Sequence, residues 1–282
     1  MLSRCAGPAN ELAPDIALAA RRLAQPHRRA GTLPQCVKML TVMIGAEAAL
    51  KRNEIAGLLG PFLGTPLPEA CLAQISTYID LLIRWNTRVN LTAIRDPREI
   101  VTRHFGESFF LARHLLPMPG GEYSVSPTSS LALRVVDIGS GAGFPGLPLK
   151  IWAPGVCLTL VESNHKKGAF LREVVRALTL SDVNVLTERA EDLVEGQPTS
   201  RIRPPAQSPV QAADLVTFRA VERFEATLST AVRLVAPGGR VAVLIGASQA
   251  RPLSAHAEGV RWNAPIAVPL SHSRVVSIGV MA

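Results

Sequence analysis

Residues 134–146 read Arg-Val-Val-Asp-Ile-Gly-Ser-Gly-Ala-Gly-Phe-Pro-Gly, an apolar run opening into four glycines, with an acid at Asp137 just before the first. Gly139, Gly141, Gly143 and Gly146 are costly to order, because an unhindered backbone loses the most freedom on folding. Such a run belongs where the chain must turn sharply and let backbone approach a ligand. The tip of the first strand of a doubly wound α/β sheet is that place.

Gly141, Gly143 and Gly146 also satisfy the dinucleotide pattern G-x-G-x-x-G, so chemistry has to choose the ligand. A carboxylate at Asp137 stands where a pyrophosphate wants N–H groups and no negative charge. It suits a cationic ligand, and S-adenosylmethionine carries a sulfonium and an ammonium. A second apolar run, Val156 to Val161, ends in Glu162, about 20 residues after the glycines, where an acid grips ribose hydroxyls in either cofactor class. Asp137, Gly139, Gly141, Gly143 and Glu162 are therefore the cofactor-binding candidates. The bland alternative is a tight strand-to-helix turn that holds nothing.

The chain has 282 residues, 48% of them apolar, and a net charge of +8. That suffices for one large core with an extension. No apolar run approaches the length of a membrane span. Cys5, Cys36, Cys71 and Cys157 lie far apart, form no C-x-x-C pair, and read as reduced cytosolic thiols without metal. The charge is uneven: residues 1–53 hold 8 Lys/Arg against 3 Asp/Glu, and the other 229 hold 22 against 19. Basicity therefore speaks for the extension more than for the core.

Residues 1–47 show no sustained helical period and are expected to be a disordered basic extension, with N-terminal helices over 48–118. Leu72, Ile75, Ile79, Leu82 and Ile83 share one helical face, predicting a helix over 68–88. Asp96-Pro97-Arg98-Glu99 is a helix start, with Asp96 as N-cap, Pro97 at N1 and Glu99 in a capping box; that helix should run to Leu116. A Gly/Ser/Pro-rich linker over 119–130 leads to a core over 131–282, with a flexible insertion near 196–213. Strand and helix signals then alternate, as in a mostly parallel sheet covered on both faces. The helix Asn164–Leu178 should bury Phe170, Leu171, Val174, Val175 and Leu178. Further strands are expected over Val183–Thr187, Leu215–Phe218 and Arg240–Ile245, and a helix over Arg223–Val235 should stop at Pro237-Gly238-Gly239. Two terminal pieces, Ala264–Val268 and Val275–Val280, read as an antiparallel pair at the sheet edge, which suits class I methyltransferases.

Leu82-Ile83-Arg84-Trp85-Asn86, Val89-Asn90-Leu91-Thr92 and Arg103-His104 precede the glycine run. Phe170-Leu171-Arg172-Glu173, Arg189-Ala190-Glu191 and Phe218-Arg219-Ala220-Val221 follow it. In this order, from about residue 50 to near the C-terminus, the motifs resemble the glucose-inhibited division protein B (GidB, RsmG) family. The resemblance implies a class I S-adenosylmethionine-dependent methyltransferase, an α/β Rossmann-like fold with an antiparallel C-terminal edge strand. It implies methylation of N7 of a guanine in 16S ribosomal RNA or the small ribosomal subunit; a cytoplasmic monomer is the expectation beside it. It further implies that Gly139 and Phe144 touch the cofactor, Ala190 and Glu191 its adenine, and that Arg219 lines the methyl-transfer side. The chain departs from the family pattern at Ile245-Gly246, where Lys-Gly is common, and at Glu107-Ser108, where Asp-Ser is common.

Guanine N7 presents an in-plane lone pair and no proton, so its methylation needs no general base. Arg219, with Arg103 and His104 beside it, is thus a candidate for positioning the acceptor. Two other readings stay open. A non-catalytic relative that binds RNA or ribosomes would bind the cofactor without transferring methyl. An NAD-dependent oxidoreductase would bind NAD(H) and not S-adenosylhomocysteine.

Overall fold

The computed structural model describes residues 50–117, 132–194, 212–219, 223–250 and 253–282. The expected extension over 1–47, the linker over 119–130 and nearly all of the insertion near 196–213 lie outside them.

Eight strands form one sheet: β1 Arg134–Ile138, β2 Cys157–Val161, β3 Val183–Leu186, β4 Ala213–Arg219, β5 Val235–Gly246, β6 Val260–Trp262, β7 Ile266–Ala267 and β8 Arg274–Met281. Their order is β3-β2-β1-β4-β5-β8-β6, with β7 also paired to β8. The pairings are parallel through β5 and antiparallel beyond it. The order reverses between β1 and β4, which places the ligand crevice of such a sheet at the carboxyl ends of these strands.

Both faces of the sheet are covered, so its strands read as near-continuous apolar runs. Alternate residues serve two cores. Val135, Leu158, Leu160, Leu215 and Leu244 face one together with the N-terminal helices. Val136, Ile138, Val161, Val216, Phe218 and Val243 face the other. On the first face lie α1 Arg52–Leu59 and α2 Glu69–Asn86, then a helical run made of Pro97–Glu99, a π-helical segment Ile100–Gly106, and α3 Glu107–Leu115. They pack with α4 Gly146–Trp152 and α5 His165–Ala177. On the second face lie α6 Ala190–Val194 and α7 Phe224–Leu234; the short helices α8 Ala247–Ala250 and α9 Leu253–His256 follow β5.

The helix starts follow their sequence signals. Asp96 accepts from the amides of Arg98 and Glu99, and Asn164 from those of Lys166 and Lys167. Three expectations change. The helix beginning at Pro97 is not regular to its end, since its middle widens into the π segment. Val175 is only half-buried on α5. Pro237-Gly238-Gly239 does not end a helix ahead of a new strand; it bulges within β5, where pairing with β4 jumps from Ala213–Val235 to Leu215–Arg240. The antiparallel pair expected at the sheet edge forms, β7 Ile266–Ala267 against β8, and β6 pairs with β8 as well, so that β8 itself lies inside the sheet.

The glycine run forms the loop between β1 and α4, with φ of +64° at Gly139, +57° at Gly141 and +90° at Gly143. At Gly143 a Cβ would also strike the Tyr78 hydroxyl and come within 2.5 Å of Leu147 Cδ1. Left-handed strain and overpacking each cost about 1–3 kcal/mol. Gly143→Ala should therefore destabilise the fold by roughly 3 kcal/mol, read as a lower urea midpoint at unchanged m-value; wild-type stability would show that the loop tolerates a side chain there.

Candidate functional site

Two carboxylates shape the loop from beneath. Asp137 Oδ2 accepts from the Gly146 amide at 3.2 Å, and Glu162 accepts from the amides of Gly141 and Asn164, each at 2.8 Å. Asp137 is fully buried and its Oδ1 has no hydrogen-bond partner. Burial first, and then the neighbouring Glu162 charge, push its carboxyl up to about 7. This differs from the expectation of a carboxylate facing a cationic ligand. Asp137 lies under the backbone that turns towards the ligand, because the strand carries its side chain into the core. Glu162, expected at a ribose, is also nearly buried and bound to two amides.

The loop opens beside a cleft of about 320 Å³, within the usual range for small-molecule sites. The ends of β1 and β2 supply Ile138, Gly139, Val161 and Ser163, the turn after β3 supplies Glu188, Arg189, Ala190 and Glu191, and α7 supplies Thr227 and Thr230. Of the sequence candidates, Gly139, Ala190 and Glu191 meet here. Glu191 pairs with Arg223, also on the cleft, at 3.1 Å across the surface. Sequence reasoning missed Ser163, Arg223, Thr227 and Thr230; a helix after β4 offers no motif, only its place at the same sheet edge.

Phe144, His104 and Arg219 form a second, buried group, and Arg103 beside it is exposed. Phe144 does not line the cleft: it is 7% exposed and stacks between His104 (ring centroids 4.7 Å apart) and Tyr78 (5.3 Å). Tyr78 in turn donates its hydroxyl to the Ala142 carbonyl. The stack therefore clamps the glycine loop to α2 and the π segment. Arg219, at the end of β4, donates to His104 Nδ1 at 3.0 Å. Since a guanidinium only donates, His104 must be the Nε2–H tautomer, and it donates to Thr92 Oγ1 at 2.8 Å. Burial, then the charges of Arg219, Arg103 and Arg274, hold this imidazole down to about 3. His104 is thus a neutral connector. Glu107 Oε2 completes the group, 3.6 Å from Arg219 and 3.3 Å from Arg274.

The Trp85-Asn86…Asn90-Leu91-Thr92 motif now has a physical reason. Asn86 accepts from the amides of Leu91 and Thr92 and donates to the Thr92 carbonyl, which holds Thr92 against His104. The sequence singled out this motif without its partner, because the contact joins elements that only the fold brings together.

The sequence model of the GidB family, described as rRNA small subunit methyltransferase G, matches residues 71–272. Proteins named ribosomal RNA small subunit methyltransferase G are similar to this chain. That of Chloroflexus aggregans is 40% identical over 63% of this chain and 65% of its own length. That of Roseiflexus castenholzii is 44% identical over 63% and 66%. That of Xanthomonas campestris pv. campestris is 35% identical over 79% and 92%. The chain thus spans just under two thirds of the length of the first two.

The two buried titrations oppose each other. Asp137, raised above its ordinary carboxylate range, contributes stability at low pH that is lost as pH climbs from about 4 to about 7; His104, held low, contributes stability that is lost as pH falls from about 6.5 towards 3. Asp137→Asn keeps an acceptor for Gly146 and removes the first term alone. Relative to wild type its stability should rise between pH 4 and 7, by at most about 1.4 kcal/mol per unit. Urea denaturation at each pH measures this; a flat difference would mean that Asp137 titrates as an ordinary carboxyl.

Proposed function

The chain belongs to the GidB family of rRNA small subunit methyltransferase G, and from that premise we infer that it methylates N7 of a guanine in 16S ribosomal RNA with S-adenosylmethionine. We take it to act as a monomer, in the cytoplasm, on the RNA or the small subunit that contains it. The observation that carries this reading is the cleft at the carboxyl ends of β1 and β2, bordered by Gly139, where the chain turns with a φ of +64°.

The residues present fit such a cofactor. The cleft has the size of a small-molecule site, the Gly139 backbone on its lining, and polar groups around it, the acids Glu188 and Glu191 alternating with Arg189 and Arg223. Gly139 and Ala190 would hold the nucleoside part by close backbone approach, with Glu191 and Ser163 as polar partners. Asp137 and Glu162 would act indirectly, by fixing the Gly146 and Gly141 amides and hence the shape of the loop. S-adenosylmethionine supplies, when bound, a methyl group made electrophilic by its sulfonium.

The chain itself has to align the acceptor and keep water out. Proximity and orientation of this kind supply on the order of 7–11 kcal/mol. No base is needed at N7, and none is offered by His104, whose two ring nitrogens are engaged by Arg219 and Thr92. Arg219 is held at the end of β4 by His104 and Glu107, while its Nη1 has no hydrogen-bond partner. That free donor supports a role as anchor for the acceptor base or its phosphate.

The test is transfer of a tritiated methyl from S-adenosylmethionine to small subunits that lack the modification, with mass spectrometry to place it. One methyl at one guanine N7 is expected. Binding of S-adenosylhomocysteine without transfer would instead support a non-catalytic relative. Arg219→Lys keeps the charge and loses the fork; it should lower single-turnover transfer about tenfold or more, the scale of one charge-assisted contact, with S-adenosylhomocysteine affinity unchanged. Wild-type turnover would make Arg219 a purely structural ion pair.

A further inference from the structure

A second cleft, of about 350 Å³, opens between the π segment and the loop entering β8, and its lining includes Thr102, Arg103, Glu107, Leu270, His272 and Arg274. It shares Glu107 with the buried Arg219 group, so the two sites are continuous through one carboxylate. Around that carboxylate the charges do not balance. Arg219 and Arg274 both pair with Glu107 Oε2, Arg103 adds a third, exposed cation, and His104 is held neutral by burial and by these same cations. Nor are all the donors satisfied: Nη1 of Arg219 and Nε of Arg274 are buried without hydrogen-bond partners, while Nη2 of Arg274 has the 3.3 Å ion pair to Glu107. Leaving charged donors unpaired in a dry site is costly, and an arriving acceptor with negative charge removes that cost. Guanidinium forks match the oxygens of a phosphate.

Beside these cations stands an apolar side chain in the wrong place for stability. Leu270 is 73% exposed and, among the described residues, is one of two large exposed hydrophobics, the other being Ile83 at 38%. Its φ is +58°, a conformation that non-glycine residues rarely adopt and that is informative when it occurs. The turn that presents it is tied down. Val268 donates its amide to the Arg274 carbonyl, Ser271 to the Val268 carbonyl and Arg274 to Ser271 Oγ. An apolar wedge next to phosphate-binding cations is how proteins part stacked bases, and a base whose ring atom must react has to be unstacked or already splayed out.

We propose that this second cleft seats a phosphodiester of the substrate strand beside the acceptor nucleotide, on Arg103 and Arg274, and that Leu270 wedges into the stack the acceptor leaves. The assignment rests on the methyltransferase reading above and adds where the RNA backbone runs and what opens the stack. Glu107 serves it by holding Arg219 and Arg274 apart and in place; its one charge does not cancel theirs.

Two exposed positions test it without endangering the fold. Arg103→Ala should weaken binding to unmodified small subunits and lower the slope of log K against log [KCl] by about 0.7–0.9, one phosphate contact. Leu270→Gly, which suits the positive φ, should keep the melting temperature, the salt slope and S-adenosylhomocysteine affinity, yet reduce single-turnover methylation at saturating subunits about tenfold or more. An unchanged slope for Arg103→Ala, or wild-type methylation by Leu270→Gly, overturns the proposal. So does an Arg103→Ala defect seen on subunits but absent on protein-free 16S RNA, which would make the cleft a seat for a ribosomal protein. A wild-type protein that binds subunits but transfers no methyl overturns the underlying function instead, and the Arg103 salt slope still decides whether the cleft holds a phosphate.

Discussion

The bond from the Gly146 amide to Asp137 Oδ2, with its counterpart from Gly141 to Glu162, is the constraint on which the rest of this molecule turns. A loop carrying three residues at positive φ has no regular ladder to satisfy its amides, and buried amides have to be paired. Two acids at the tips of neighbouring strands do so from below, and the start of the loop, Gly139, lines the cleft. Burying a carboxylate for that purpose is unfavourable, and the rise of Asp137 towards neutrality records it. The site thus spends some stability on the shape of its floor.

That loop is also where the N-terminal helices take hold. The stack His104–Phe144–Tyr78 and the Tyr78 hydroxyl on the Ala142 carbonyl join α2, the π segment and the β1–α4 loop into one packed body. The helices before the sheet are therefore not an appendage to a cofactor-binding core. They carry His104 to Arg219, and through Asn86 and Thr92 they determine which imidazole nitrogen meets the guanidinium. The π segment places Arg103 outward and His104 inward at successive positions while Glu107 stays within reach of two arginines. Wide helical turns of this kind recur where function requires a local change of register.

The electrostatics divide accordingly. The cleft beside the glycine loop carries two acids, Glu188 and Glu191, and two arginines, Arg189 and Arg223, so its charges balance, and Asp137 is not exposed to it. The group around Glu107 carries surplus cations with unpaired donors, which suits an anionic strand. Net charge of the whole chain conveys none of this, because most of its excess lies in residues 1–53.

Much of this was legible in the sequence because it is local. Glycines at 139, 141 and 143 can be read as positive-φ positions, Asp96 and Asn164 as N-caps, and the apolar runs as strands of a sheet covered on both faces, since each depends on a few adjacent residues. The site was legible only as a set of candidates. Asp137 was singled out rightly as unusual, but whether its carboxylate faced ligand or backbone depended on how β1 sits in the sheet. Phe144 was placed near the cofactor by resemblance, whereas packing between His104 and Tyr78 decided where its ring lies. The internal position of β8, the bulge at Pro237-Gly238-Gly239 and the meeting of Thr92, His104, Glu107, Arg219 and Arg274 are products of pairing across as many as 167 residues of chain, from Glu107 to Arg274. Sequence alone determined the fold class and the loop that needs room for a ligand, because backbone preference and apolar period act over short range. Only the tertiary structure decided which acids serve the ligand and which serve the backbone, because burial and hydrogen-bond partners are properties of the packed whole.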